Sequence, residues 1–311
     1  MMSDSADRET RIDFRTEFEP RHGEAVGISH NIVRVTCPNP GPFTFHGTNS
    51  YILGNRSVAV IDPGPMDESH LQALLQAINK RDVSHIIVTH THVDHSPLAR
   101  RLKQITGAPI LAEGPHRPAR DLHLGETNVL DASADREFEP DRNLRHGERV
   151  EGDGFALEAV FTPGHTENHM AFALVDEDLL FSGDHVMAWA TSIVAPPDGS
   201  MQNYMASLQT LMERGESRYL PGHGGQLNNA REFVRALRAH RIMRESAILA
   251  RIRAGDRTIP ELVKVIYRDT DPRLHGAAAL SVLAHIEDLM EKGRIASNGP
   301  ASLEGEYLPN A

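Results

Sequence analysis

Cysteine is nearly missing from this chain, aromatic residues make up only 5% of it, and there is a single tryptophan. One thiol, Cys37, forms no intramolecular disulfide and no cysteine-rich zinc site. It reads as a half-buried strand residue in the reducing cytoplasm. Long apolar runs are lacking too: the stretches around residues 86–88 and 277–284 fall far short of the ~18 residues of a membrane span. No export signal is expected, because the first twenty residues carry Asp4, Asp7, Glu9, Asp13, Glu17 and Glu19, which suit neither a signal peptide nor a transit peptide. Basic residues are outnumbered, 32 against 43 acidic ones, for a net charge of −11. That balance excludes a protein whose whole surface tracks nucleic acid, which requires clustered Lys and Arg.

What the chain does have is 311 residues of ordinary globular composition, 40% hydrophobic and 24% charged. This is enough for one large domain with a smaller partner. Segments such as NIVRVTCPNP, TNSYILG and SVAVIDPG alternate or run apolar between Gly and Pro and predict strands. Leu71, Leu74, Leu75 and Ile78 predict a helix over 67–80, followed by a strand over 85–89 and a helix over 97–105. Further strands are expected in PILAEG, FALEAVFTPG, MAFALVDEDLLFSGD and SRYLPGHG. From residue 229 three helices without strands are expected, over 231–253, 258–268 and 272–292. The expected organisation is an acidic segment over 1–25, a catalytic domain over 26–228, a helical domain over 229–298 and a tail over 299–311. Residues 231–300 hold 13 basic against 9 acidic residues, unlike the acidic remainder. Within them Arg231, Arg235 and Arg238 share one helix face, read either as a solvated face or as a strip for phosphates beside the cleft.

Histidine is the abundant residue, with eighteen copies. THTHVDHSP packs His90, His92, Asp94 and His95 into six residues directly after an apolar strand, so a turn can aim several of them into one cleft. Imidazoles with a carboxylate are preferred ligands of zinc and its neighbours. Three later segments share the form strand, glycine, ligand: TPGHT with His165, FSGDH with Asp184 and LPGHG with His223. A lone loop histidine is ordinarily solvated or hydrogen bonded; the joint pattern is what points to metal.

These residues resemble the metallo-β-lactamase superfamily, whose HxHxDH signature and downstream His, Asp and His are matched over roughly residues 30–228. The resemblance implies an α/β fold, the αβ/βα sandwich, with a dinuclear site at one edge. His90, His92 and His165 would hold one divalent ion, Asp94, His95 and His223 the other, and Asp184 would bridge them. Zinc is the first expectation for both, with manganese and iron suiting the same donors. Asp62 in AVIDPG matches an early aspartate that braces the ligand loop, against a plain reading as a turn former. The implied chemistry is hydrolysis by a metal-bridging hydroxide, with Asp94 orienting it and passing a proton to the leaving group.

FHGTNSYILG, TPGHTENHMAFAL and SIVAPPDGSMQNYMASL resemble, more narrowly, the group of β-lactamase-like protein 2, and the stretch from Thr258 resembles that group's winged-helix-like domain. That group implies an endoribonuclease or other phosphodiesterase acting on single-stranded RNA. The alternatives are a hydrolase of small esters, thioesters or lactones, as in glyoxalase II-like and lactonase-like members, and a non-catalytic metal-binding module. Asp184 stands where zinc β-lactamases have a cysteine ligand, and the 58-residue interval from His165 to His223 leaves no room for the inserted domain of the larger nucleases. His169 reads as a bracing or strand-facing residue, His185 as turned away from the metals, and Trp189, Asn203 and Tyr204 as packing or pocket-lining residues.

Overall fold

The computed structural model describes residues 12–310. Seven strands form one sheet in chain order: β1 (Val26–Gly27), β2 (Ile32–Thr36), β3 (Asn49–Gly54), β4 (Ser57–Ile61), β5 (Asp82–Ile87), β6 (Ile110–Ala112) and β7 (Arg142–Asn143). It is antiparallel as far as β4 and parallel from β4 onward. Five strands form the second sheet: β8 (Arg149–Gly152), β9 (Phe155–Phe161), β10 (Met170–Leu174), β11 (Leu179–Gly183) and β12 (Arg218–Pro221). The β11–β12 pair is its one parallel pair.

Strand alternation explains how the layers stack. In β10, Met170, Phe172 and Leu174 point between the sheets, while Ala171 and Ala173 point outward. Ala59 and Ile61 of β4 meet the same inner core, and Val58 and Val60 face the opposite way. Outside the first sheet lie α1 (Glu68–Ile78), started by the Asp67 side chain accepting from the His70 N–H, and α2 (Leu98–Thr106). Outside the second lie α3 (Met201–Glu213) and the first half of α4 (Ala230–Ala254). The result is the expected αβ/βα sandwich.

The second half of α4 packs with α5 (Ile259–Ile266) and α6 (His275–Glu291) around a separate apolar cluster. Thr258 and Glu261 form a reciprocal capping box, with Pro260 in the first turn of α5. Two expectations need correction here. The C-terminal region has strands as well as helices, since β13 (Ile295–Ser297) pairs antiparallel with β14 (Tyr307–Pro309) as a small wing. Residues 299–310 are also not a tail: Tyr307 is fully buried in the cluster and its hydroxyl donates to Ser302 O. Three-residue strands are too short to show periodicity, which is why the sequence pattern hides them. At the other end, residues 1–11 lie outside the described residues, and from Ile12 the chain runs along the catalytic domain, with the Arg15 N–H donating to Ala188 O.

Replacing Tyr307 by Ala is expected to cost about 3 kcal/mol in denaturant unfolding, the usual cost of emptying a buried aromatic site. A loss below about 1 kcal/mol would show that this segment adds little to the second core.

Candidate metal centre

Every ligand candidate sits just beyond the end of a strand at one edge of the sandwich. Asp62 follows β4, the His90–His95 run follows β5, His165 follows β9, Asp184 follows β11 and His223 follows β12. Two glycines are required by the crowding there. Gly183 has φ +50°, and a Cβ on it would lie 2.5 Å from His169 Nε2; a Cβ on Gly222 would lie 2.7 Å from His95 Cε1 and closer still to Asp184 Oδ1.

The structure brings all seven predicted residues together. His92 Nδ1 lies 3.0 Å from both His90 Nε2 and His165 Nε2, close to the ~3.3 Å between nitrogens that share one tetrahedral zinc. On the other side His223 Nε2 lies 3.2 Å from His95 Nε2 and 3.2 Å from Asp94 Oδ2. Asp184 spans the two groups. Its Oδ2 is 3.2 Å from His223 Nε2 and 3.8 Å from His165 Nε2, and its Oδ1 is 3.6 Å from His95 Nε2. That Oδ1 is buried and has no hydrogen-bond partner, a costly state for a carboxylate oxygen unless a cation meets it. The residues therefore fit two divalent ions.

The far side of each ring is held by the fold. Asp62 accepts from the Thr89 N–H at 2.7 Å, from Thr89 Oγ1 at 2.7 Å and from His95 Nδ1 at 3.0 Å, and Thr89 Oγ1 in turn meets His90 Nδ1 at 3.0 Å. His165 Nδ1 donates to Ile193 O at 2.6 Å and His223 Nδ1 to Gly47 O at 3.2 Å. These bonds leave Nε2 of four rings free to face the centre. His169 accepts from the Asp184 N–H at 3.2 Å and meets Thr162 Oγ1 at 2.8 Å, so it braces the Asp184 turn. His185 is buried against the Tyr204 ring, 4.5 Å away, and takes no part. Asn203 bonds Glu167 and Tyr204 donates to His185 O, leaving Trp189 as the one of the three that lines a cleft. Cys37 is wholly rather than half buried, and burial, reinforced by Asp67 and Asp94, pushes its thiol up to about 12. Of Arg231, Arg235 and Arg238, the first lies away from the centre. Arg231 donates to Gly215 O beside Asp178 and Glu216, at the opposite ends of β11 and β12 from the ligands.

Charge divides the centre in two. Burial, together with neighbouring rings, holds His90 well below the ordinary imidazole range and His92 at about 3; burial also lowers His165. Burial opposes charge on His95 and His223 as well, but Asp94 and Asp184 override it and raise His95 well above its ordinary value and His223 to about 9.

A family model described as "Metallo-beta-lactamase superfamily" matches residues 43–223. This chain belongs to that superfamily. A second family model, "Beta-lactamase associated winged helix domain", matches residues 258–301, so α5, α6 and β13 belong to a winged helix domain. The "Beta-lactamase-like protein 2 homolog" of Drosophila melanogaster is 30% identical over 86% of this chain and 90% of its own length. In fold the chain is similar to a beta-lactamase domain protein from Burkholderia ambifaria, with a TM-score of 0.79 and 20% identity over 97% of this chain and 98% of the other. It is also similar to a metallo-beta-lactamase family protein from Thermus thermophilus, at 0.73 and 24% over 91% and 100%. Membership of the superfamily makes the chain a hydrolase with a candidate metal-binding His/Asp cluster. No helix among the described residues is long and apolar enough to cross a membrane.

Two outcomes are expected. Loading the Asp94, His95, His223 group at pH 7 must displace protons, so its affinity should rise with pH towards about 9, while the group of His90, His92 and His165, whose rings are all held below the ordinary imidazole range, should lose less affinity on acidification. Calorimetry in buffers of differing ionisation heat should show proton release for one ion and little for the other; two ions lost together on acidification would contradict the division. Asp62→Ala should weaken metal affinity by about 10–100-fold in chelator competition, and unchanged affinity would remove its bracing role.

Proposed function

We propose that this chain is a dinuclear metallo-hydrolase acting on small esters, thioesters or lactones. The observation that carries the reading is Asp184: buried, one oxygen unpartnered, and set between a three-imidazole group and the Asp94, His95, His223 group. His90, His92 and His165 would hold the first ion, Asp94, His95 and His223 the second, and Asp184 both. Zinc is the ion proposed, on a donor set that manganese and iron share. Two such ions, when bound, acidify a water for attack and polarise the scissile carbonyl.

The chain's own residues would do the rest. Asp94 is the carboxylate facing solvent, its side chain 22% exposed where those of His95 and His223 are fully covered. It would accept a hydrogen bond from the attacking water and carry the proton to the leaving group. Asp62 fixes His95 and, through Thr89, His90, so the rings need no rearrangement during the reaction.

Single-stranded RNA is the competing substrate, favoured by the resemblance to β-lactamase-like protein 2. The pairing of three arginines on the catalytic domain argues against it. Around the 113–126 loop, Arg117 is paired with Glu113, and Arg120 with Glu126 and Glu287, while Arg100 is paired with Asp135 and Glu137. Paired guanidinium groups release few counterions and offer phosphates little.

Metal analysis and a substrate panel test this reading. Two ions per chain and turnover of a thioester, a lactone or a 4-nitrophenyl ester are expected; cleavage of single-stranded RNA with none of the three hydrolysed would transfer the assignment to the phosphodiesterase. Asp184→Ala should lower turnover by at least about 100-fold, since each ion contributes several kcal/mol of transition-state stabilisation, and should leave fewer than two ions per chain. Full metal content with normal rates would overturn the ligand assignment. His165→Ala should empty chiefly the first position and His223→Ala the second.

A further inference from the structure

Beside the metal centre a cleft of about 330 Å³ opens between the catalytic domain and the C-terminal helices. Its walls come from two sides. Phe43, Met187 and Trp189 belong to loops that also carry ligand supports: Trp189 stacks on Phe45 at 4.7 Å and 9°, and Gly47, two residues further on, holds His223. Phe14 and Phe43 stand at the cleft 40% and 50% exposed, giving it an apolar rim. Arg241 and Arg244 of α4 form the other wall.

Arg241 is the unusual group. It is 2% exposed, yet among the described residues no carboxylate pairs with it. It donates to Ser192 O, lies over the Tyr204 ring and leaves Nε buried without a partner. Arg244 donates to Ile266 O and lies 4.4 Å over the Tyr267 ring, again with no carboxylate among the described residues. The Trp189 indole N–H is a further buried donor without a partner. A buried cation is costly unless an anion meets it, and here two guanidinium groups without a carboxylate partner among the described residues face one cleft. The cleft also touches the chemistry. Arg241 holds Ser192 O and the metal-ligand candidate His165 holds the next carbonyl, Ile193 O.

We infer that this cleft is the acyl subsite of the hydrolase, selecting substrates with an apolar or aromatic body that ends in a carboxylate, which Arg241 and Arg244 bind. The inference rests on the hydrolase reading above and adds the substrate's charge and shape to it. Arg–carboxylate recognition of this kind discriminates strongly against neutral isosteres, which leave the buried donors unmatched.

Trp189 is the chain's single tryptophan, so its fluorescence reports occupancy of the cleft without any reaction. In the full-length, metal-loaded protein, 4-phenylbutyrate is expected to bind about tenfold more tightly than neutral 4-phenylbutanamide. Arg244→Gln should bring that ratio within about twofold and Arg244→Lys should retain part of it. The same ratio should appear in KM when the 4-nitrophenyl monoester of glutaric acid is compared with 4-nitrophenyl butyrate. Arg244 is half-buried, and circular dichroism of each variant controls for folding. Equal binding of acid and amide by the wild type, or no fluorescence response to either, overturns the subsite. Ester hydrolysis indifferent to the terminal charge overturns the subsite and leaves the hydrolase. Charge-selective binding without hydrolysis of any ester leaves the subsite as a binding site and overturns the hydrolase.

Discussion

Two carboxylates, Asp94 and Asp184, lie among five imidazoles at one edge of a packed sandwich, and this buried negative charge constrains everything around it. Such groups are tolerated in a low-dielectric site only when positive charge reaches them, as protons on His95 and His223 or as metal ions. The sheets supply the geometry: the ends of β4, β5, β9, β11 and β12 deliver short turns to one place, and glycine in two of those turns leaves space that a methyl group would fill. The surrounding bonds to Asp62, Gly47 O and Ile193 O then decide which nitrogen each ring presents.

Much of this was legible in the sequence for a physical reason. A ligand at a strand end is announced locally: His90, His92, Asp94 and His95 crowd into six residues after an apolar run, and His165, Asp184 and His223 each follow an apolar run and a glycine. The supporting atoms were only partly legible. Asp62 and His169 are side chains and could be nominated, whereas Gly47 O and Ile193 O are backbone carbonyls, which every residue has and no motif records. Their identification required the path of two loops that are distant in sequence from the rings they hold.

The basic face of the long helix shows a different limit. Helical spacing correctly groups Arg231, Arg235 and Arg238, but it does not say towards what that face turns. The helix carries Arg231 to the edge away from the metal centre, and a later pair on the same helix, Arg241 and Arg244, reaches the cleft beside it. Charge counting over residues 231–300 could not separate the two, because both contribute equally to the sum. The wing was hidden for a related reason: β13 and β14 are held by one another and by the burial of Tyr307 in the second core, contacts that no local pattern announces.

The helix α4 belongs to two hydrophobic cores at once, with Phe233, Val234 and Leu237 in the catalytic domain and Ile248, Leu249 and Ile252 in the winged helix unit. Arg120 adds a bond across the same junction by pairing with Glu287 of α6. A rod shared in this way removes the exposed linker at which proteases normally divide a two-domain chain. Neither half can be excised without stripping apolar surface from the other, so the two units are expected to melt as a single cooperative body, with an isolated C-terminal fragment a poor surrogate for the domain within the whole chain.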